Sequence, residues 1–429
     1  MDNLIDFLSL QNPNVRYVVL GSILLSVSSA IVGCFTFLKK KSLVADVVSH
    51  AVLPGVCLSF IISGSKDPFL LIIGAFITGW LSLFIMDYIV HNSKIKEDTA
   101  TGLALSVFFG VGILLLTYIQ HAGNAAQSGL DGFLFGKAAA LIGNDLLAFG
   151  FIAIVVMVIV FIFYKEFKLI SFDKDFAQSI GYPVKKLELV LTSITVMAVV
   201  TGIQAVGVVL MAAMLITPAA AARFWTNRLG YMLLLAAIFG AISGVSGAYI
   251  SYTAPSMPTG PWMVIILSII AIASFFFAPK RGIFIRLLRQ RKIKNQLLEE
   301  NLLKHFYHLG EATNDYYAAR ENSLLREAKR FTSNQLKKGL NRLKMQGFLT
   351  YNQTSWTLTK QGKRKGQRIV RLHRLWELYL TKYLKIAPDH VHEDAESIEH
   401  IITPEIESKL EALLEHPDVD PHKSQIPYS

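Results

Sequence analysis

The sequence predicts an all-α polytopic membrane protein of about eight or nine transmembrane helices, followed by a cytosolic winged helix-turn-helix and a helical metal-binding domain. Three observations predict it. Of 429 residues, 52% are hydrophobic and only 17% charged, and the mean hydropathy of +0.44 is too apolar for an ordinary soluble chain of this length. The charges are also uneven: between Asn14 and Pro279 they form short clusters separated by long apolar runs, whereas from Lys280 onward the composition is that of a soluble domain. Finally, the soluble part reads helix, helix, β-ribbon, long helix. The expected organisation is a membrane unit at 1–279, a basic linker at 280–296, a winged-helix domain at 297–372, and a helical metal-sensing domain at 373–429.

Apolar runs long enough to span a bilayer occupy 15–38, 44–63, 68–90, 99–119, 141–164, 187–204, 206–222, 231–251 and 261–278. Helices are the only sensible form for them, because an open sheet would strand backbone groups in lipid. Lys39-Lys40-Lys41, Lys94 with Lys96, Lys165 with Lys168, Arg223 with Arg228, and Lys280-Arg281 flank segment ends, while 64–68 and 252–261 are nearly free of Lys and Arg. The positive-inside rule makes the first set cytoplasmic. The N-terminus is then outside, the C-terminal domain inside, and the number of crossings odd. The stretch 187–222 must therefore cross twice, with Gly202, Gly207 and Pro218 marking a broken or re-entrant alternative. A net charge of +11 can mean nucleic acid or an anionic membrane surface, but in a membrane protein accumulation of Lys and Arg in cytoplasmic parts is the plainer cause. The two cysteines, Cys34 and Cys57, lie in apolar runs and supply neither a disulfide framework nor a CxxC site. Residues 1–14 are acidic and lack the basic region of a cleaved signal peptide.

Ionisable residues inside a span are expensive and so mark function. Asp46 and His50, four apart, share one face of the second helix, and a carboxylate with an imidazole suits Zn²⁺ or Mn²⁺. A buried Asp–His hydrogen bond serving packing alone is the alternative. Pro54-Gly55 is expected to break the helix just beyond. The other spans carry almost no charge, which disfavours a proton relay, a voltage sensor or intramembrane catalysis; no serine–histidine or paired-carboxylate set appears, and no enzyme activity is expected. Gly- and Ala-rich stretches at 212–222 and 240–247 suit close helix packing. The polar loop 165–181, with Phe167, Asp173, Asp175 and Gly181, reads as a short amphipathic helix under the membrane, either a plain solvated loop or a docking helix for a cytosolic partner. The chain has no Gly-x-x-x-x-Gly-Lys-Ser/Thr phosphate loop, so any ATP-driven step requires another chain.

Beyond the linker, helices are expected at 297–310, 323–331 and 333–346, then a strand–turn–strand at 350–358 and a basic helix at 362–384. The helix 333–346 carries Asn334, Lys337, Lys338 and Arg342, types that contact phosphates and base edges; winged helices also serve as protein-interaction modules. His373 and Glu377 stand four apart, and His392, Glu396, Glu399 and His400 follow at helical spacing. This thiol-free set suits a hard-to-borderline divalent metal.

Asp46-Val-Val-Ser-His-Ala-Val-Leu-Pro-Gly55 resembles the signature of the permease subunits of manganese, zinc and iron ABC importers. Glu97-Asp-Thr-Ala-Thr-Gly102, Phe133-Leu-Phe-Gly136, Gln204-Ala-Val-Gly207 with Pro218-Ala-Ala-Ala, and Pro258-Thr-Gly-Pro261 are similar to further motifs of that family, in the same order. The resemblance covers about 15–279 and implies a multi-pass protein of a bacterial cell membrane. The implied partners are an ABC ATPase subunit, a second permease subunit (identical or paralogous), an extracytoplasmic metal-binding lipoprotein and membrane lipid. It also implies that Asp46 and His50 line the metal path. Ser256-Met257 stand where family members often have an acidic residue. From about 301 to 427 the chain resembles manganese- and iron-dependent repressors of the diphtheria-toxin-repressor type. That resemblance implies one metal position at His373, Glu377 and His392 and an adjoining one at Glu396, Glu399 and His400. Glu396 in place of Cys is like the manganese-type variant, whereas Asn301 and Lys304 depart from the family's first-helix ligands.

The resulting reading is the permease of an ATP-driven importer for a divalent transition metal, manganese foremost and zinc or iron next. No permanently bound cofactor is expected; a regulatory Mn²⁺ in the cytosolic domain is. The alternative is a membrane-anchored metal-dependent transcription regulator, with DNA the less favoured partner.

Overall fold

A computed structural model describes residues 6–7, 9, 11–65, 67–121, 143–254, 257–279, 281–327, 331–386 and 403–428. The chain divides into two compact units, Met1–Arg286 and Leu287–Ser429.

The first unit contains α1 (Pro13–Leu38), α2 (Val44–Ser63), α3 (Pro68–Asn92), α4 (Glu97–His121), α5 (Gly143–Ile162), α6 (Tyr164–Phe172), α7 (Lys174–Ser179), α8 (Val184–Val206), α9 (Val208–Trp225), α10 (Leu229–Thr253) and α11 (Thr259–Phe277). Among the described residues eight of these are long and apolar enough to cross a membrane, and a ninth crossing follows if α5 and α6, bent by 71° at their junction, count as one span. The helix starts carry ordinary signals. Asn12 and Asp67 cap α1 and α3 through their side chains, each with Pro in the first turn. Glu97 and Asp98 open α4, where the helix dipole favours negative charge.

Small residues let these helices approach closely, as expected where lipid supplies no hydrophobic drive. A Cβ added to Gly33 of α1 would fall 1.7 Å from the Leu215 carbonyl oxygen of α9, and one on Gly55 of α2 would fall 2.1 Å from the Gly74 carbonyl oxygen of α3. Between α8 and α9 a single residue, Gly207, takes φ 92° and ψ 163°. Only glycine adopts that conformation cheaply. A Cβ on Gly202 would meet the Met211 sulfur at 2.3 Å, so α9 turns back past the end of α8 and the stretch makes two helices. The expected break at Pro54-Gly55 does not occur. Pro54 lies inside α2, which runs on to Ser63, because neighbouring helices let a membrane helix tolerate proline.

The second unit holds most of α12 (Ile283–Thr313), then β1 (Arg320–Glu321), α13 (Asn322–Glu327), α14 (Ser333–Met345), β2 (Leu349–Asn352), β3 (Ser355–Leu358), α15 (Lys360–Leu384) and α16 (Pro404–Leu413). The stretch expected as a basic linker is largely helical: 283–296 forms the first half of α12. No Gly or Pro interrupts 283–309, and its Leu, Arg, Lys, Gln and Glu are good helix formers. The sheet order is β1-β3-β2, antiparallel throughout. Its first strand has two residues and was not expected; Arg320 pairs with Trp356, whose indole donates to Asn322 at 3.0 Å. Leu302, Phe306, Leu336, Leu340, Trp356 and Leu358 share one core. Thr332 and Gln335 form a reciprocal capping box at the start of α14, and α14 passes close to α12, since a Cβ on Gly339 would meet Leu302 at 2.3 Å. A helix–helix–ribbon unit of the winged-helix kind results. The long α15 is continuous across 372–373, so the helix that closes the winged unit also carries His373 and Glu377.

Candidate metal sites

Asp46 and His50 lie in the first two turns of α2, both half-buried. The His50 ring meets Phe109 of α4 edge-on, centroids 4.8 Å apart. Its Nδ1 is buried and has no hydrogen-bond partner among the described residues; the neighbouring Ser49 hydroxyl is in the same state. Buried polar atoms are normally satisfied, and this ring nitrogen lies one turn from the Asp46 carboxylate on the same helix. Pro54 adds to this. It has no N–H, so the His50 carbonyl cannot accept the usual i+4 helical bond. That carbonyl therefore lacks its ordinary helical donor. Where the sequence predicts a helix break at this proline, the helix is intact and lacks one internal donor.

The loop 165–181 folds as two short helices, α6 and α7, rather than one. Phe167, Ile170 and Ala177 are buried, with Phe167 packed edge-on to Phe35 of α1 at 5.7 Å. Asp173 caps α7 by accepting from the Phe176 amide at 2.9 Å. Asp175 and Gly181 are exposed, and Gly181 takes φ 89°. Phe172, Phe176 and Ile180 are each more than half exposed, at 55%, 52% and 51%. One face of the loop is therefore anchored and the other presents apolar side chains.

The ion pairs formed beneath the spans were missed by sequence reasoning. Lys39 reaches Glu188 of α8 at 2.9 Å, Lys174 of α7 reaches the same carboxylate at 3.1 Å, and Lys41 lies 3.6 Å from Asp87 and 3.8 Å from Glu97. The available signal was Glu188 itself, an acid inside the apolar run 187–204.

In the second unit His373 and Glu377 are brought together on α15, Nε2 to Oε1 at 3.0 Å, with side chains only 4% and 3% exposed. The other expected donors, His392, Glu396, Glu399 and His400, lie outside the described residues. Among the described residues no group of three or more His, Cys, Asp or Glu side chains is arranged to hold a metal ion. A buried imidazole–carboxylate pair is nonetheless the donor chemistry a Mn²⁺ or Zn²⁺ ion would take. Asn334, Lys337 and Lys338 project from α14 exposed, whereas Arg342 is half-buried and pairs with Glu299 at 3.5 Å.

Ion pairs fix α15 around His373. Arg374 forks onto Glu311 of α12 with two 2.9 Å bonds, and Arg368 and Arg371 both bond Glu407 of α16. Burial alone would raise the Glu407 carboxyl, but the hydrogen bonds from Arg368 and Arg371 outweigh it and hold its pKa below the ordinary glutamate range. The same balance, through His308 and Arg374, lowers Glu311. A depressed carboxylate stabilises the fold above its unfolded pKa, and the contribution disappears as pH falls through the folded pKa. Acidification of the full-length protein below the ordinary glutamate range is thus expected to speed amide exchange in α16, after correction for intrinsic rates. The expected gain is about tenfold per unit of depression lost. Glu407→Gln should show the fast exchange already at neutral pH; identical exchange in both proteins at every pH would rule the clamp out.

Residues 11–278 match the model of the ABC 3 transport family, and residues 359–428 match the iron dependent repressor, metal binding and dimerisation domain. With the fold, these matches define a multi-pass membrane transport protein that carries a repressor-type metal-binding domain. The chain belongs to the ABC 3 transport family. It is similar to the manganese transport system membrane protein MntC of Bacillus subtilis, 40% identical over 382 residues, which cover 89% of this chain and 87% of that protein. It is also similar to the zinc transport system membrane protein TroC of Treponema pallidum, 42% identical over 286 residues, 67% of this chain and 95% of that one. Among solved structures, PsaBC from Streptococcus pneumoniae in complex with Fab aligns with a TM-score of 0.60 at 33% identity, covering 67% of this chain and 99% of that chain.

Proposed function

We propose that this chain is the permease subunit of an ATP-driven importer of divalent transition metal, manganese foremost, whose cytosolic domain senses the same metal. The observation that carries the reading is the Asp46–His50 pair: two donors on one helical face, with an unpartnered ring nitrogen, in a chain of a metal-transport family. Two side chains are too few for a divalent transition ion, which takes about four to six donors. Water and freed backbone oxygens such as that of His50 complete the shell during passage. Weak, incomplete coordination suits a path, since an ion held by a full cage would not leave. The Phe109 ring keeps one side of His50 dry, so attraction between the ion and Asp46 is little screened.

Energy comes from a separate ATPase on the cytoplasmic side, docked on the exposed face of α6–α7. Phe172, Phe176 and Ile180 supply the apolar contact, while Phe167 and Ile170 root the loop in the membrane unit. A second permease subunit completes the pathway, and an extracytoplasmic binding lipoprotein delivers the ion. The C-terminal unit lies in the cytoplasm by the distribution of loop Lys and Arg. The residues 373, 377, 392, 396, 399 and 400 form its metal site, which therefore meets the product of transport. A membrane-anchored transcription regulator is the second reading, favoured by the exposed Asn334, Lys337 and Lys338 of α14.

Uptake of radioactive Mn²⁺ into vesicles holding the full complex tests the proposal. Uptake is expected to need ATP and the ATPase, and to be competed more strongly by cold Mn²⁺ than by Zn²⁺ or Fe²⁺. Phe176→Asp is expected to reduce ATPase copurification and uptake together, each by about tenfold. ATP-independent uptake by the purified chain alone would overturn the assignment.

A further inference from the structure

Glu188 stands in the second turn of α8 and holds two cations from different parts of the membrane unit. Its Oε1 accepts from Lys39 at 2.9 Å and its Oε2 from Lys174 at 3.1 Å. Lys174 is the first residue of α7, one of the two docking-loop helices. Lys39 is the residue that ends α1, and the turn it opens leads within five residues to Val44 and the helix carrying Asp46 and His50. One carboxylate thus bridges the docking loop to the turn that sets the position of the metal-binding pair.

That turn has the features of a hinge. Lys40 adopts φ 59°, a left-handed conformation unusual for a residue with a side chain. Lys41 is held loosely, 3.6 Å from Asp87 at the end of α3 and 3.8 Å from Glu97 at the start of α4. A cavity of about 70 Å³ lies beside the ion pairs, lined by Thr36, Lys39, Lys41, Asp87, Glu188 and Thr195. It is larger than a single water needs, so the charged ends can exchange partners or hydrate without disrupting packed helices. Exposure falls along the chain of charges: the Lys174 side chain is 54% exposed, Glu188 28% and Lys39 16%. The path runs from an accessible end at the docking loop to a shielded end beneath α1 and α2.

We propose that Glu188 is a positioning residue for transport. It passes displacement of α6–α7 to the α1–α2 turn through the Lys174–Glu188–Lys39 bridge, and so couples ATP hydrolysis to the Asp46–His50 pair. The inference rests on the reading that α6–α7 dock the ATPase. A residue that merely stapled the fold would act on stability and assembly; one that transmits motion acts on the ratio of metal moved to ATP consumed.

The test measures Mn²⁺ uptake, ATP hydrolysis and ATPase copurification for the full complex in vesicles. Glu188→Gln is expected to keep copurification and ATP hydrolysis while uptake per ATP falls about tenfold. Glu188→Asp, which keeps the charge, should recover part of the ratio. The full reversal Lys39→Glu, Glu188→Lys and Lys174→Glu should recover it if the variant assembles, as copurification reports. Uptake per ATP unchanged in Glu188→Gln overturns the bridge, and so does loss of copurification in that variant, which would make Glu188 part of the docking surface. Phe176→Asp reports the docking reading by itself: undiminished ATPase copurification there overturns that reading and the bridge with it.

Discussion

His50→Ala is expected to reduce metal uptake to background, a fall of about a hundredfold, while leaving the membrane unit folded and close to its original stability. The two halves of this expectation come from the same atom. His50 Nδ1 is buried and unpartnered among the described residues, and an unsatisfied buried polar atom costs the fold about 1–3 kcal/mol. Removing it relieves that cost, which offsets loss of the edge-on contact with Phe109 and the small cavity the ring leaves. A histidine kept for packing would behave oppositely: its loss would destabilise the helix contact and leave transport largely intact. Thermal unfolding of the purified chain and uptake by the reconstituted complex separate the cases. His50→Phe sharpens the comparison, since it restores an aromatic neighbour for Phe109 but no donor; it should stay folded and inactive. Normal uptake in either variant, with normal expression, would take the Asp46–His50 pair out of the path.

Much of the membrane unit was legible because the relevant physics is local. A run of about 20 apolar residues needs no long-range information to be read as a span, and Asp46 and His50 share a face by helical geometry alone. The helices extend up to three residues beyond the expected ends where polar residues still form good helix. Thus α4 begins at Glu97 because acids suit its first turn. Where a single residue type carries two meanings, the reading divides. Gly207 did separate two helices, but Pro54 did not break α2. The difference is that Gly207 takes a positive φ, whereas Pro54 loses one hydrogen bond in an otherwise supported helix. The charge of 283–296 suggests a linker, but its side chains are good helix formers and the segment is helical.

What could not be read from sequence is whatever depends on distant pairing. Lys39 and Glu188 are 149 positions apart, and Glu311 and Arg374 are 63 apart. Each residue alone looks like an ordinary solvated charge. Only folding brings Lys39 beneath α8 and Glu311 onto α15, and only then do they explain how the α6–α7 loop and the His373 helix are held. The two-residue β1 was invisible for a related reason: Arg320–Glu321 has no pattern of its own and becomes a strand only by pairing with Ser355 and Trp356.

Truncation after Gly282 is expected to give a permease that transports at the full initial rate and no longer slows when internal manganese is high. The cut falls just ahead of α12, so it removes the second unit without leaving a severed helix. The reasoning is one of linkage. Metal bound to the second unit can slow transport only if it binds the resting state more tightly than the active one. A tenfold preference corresponds to about 1.4 kcal/mol, within the usual range of coupling between sites. The His373–Glu377 pair is suited to convert metal occupancy into such a preference. The two side chains contact each other at 3.0 Å in a nearly dry site, and an ion entering must replace that contact. The helix that carries them is tied through Arg374 to Glu311 of α12 and through Arg368 and Arg371 to Glu407 of α16, so a shift of α15 is felt on both sides. Glu377→Gln in the full chain should therefore reproduce the truncation, with uptake at high internal manganese raised about tenfold over the parent. Lys337→Glu with Lys338→Glu should leave the slowing untouched. Persistence of metal-dependent slowing in the truncated protein would refute feedback. Manganese-dependent binding of promoter DNA by the full chain, lost with the Lys337 and Lys338 changes, would put the regulator reading in its place.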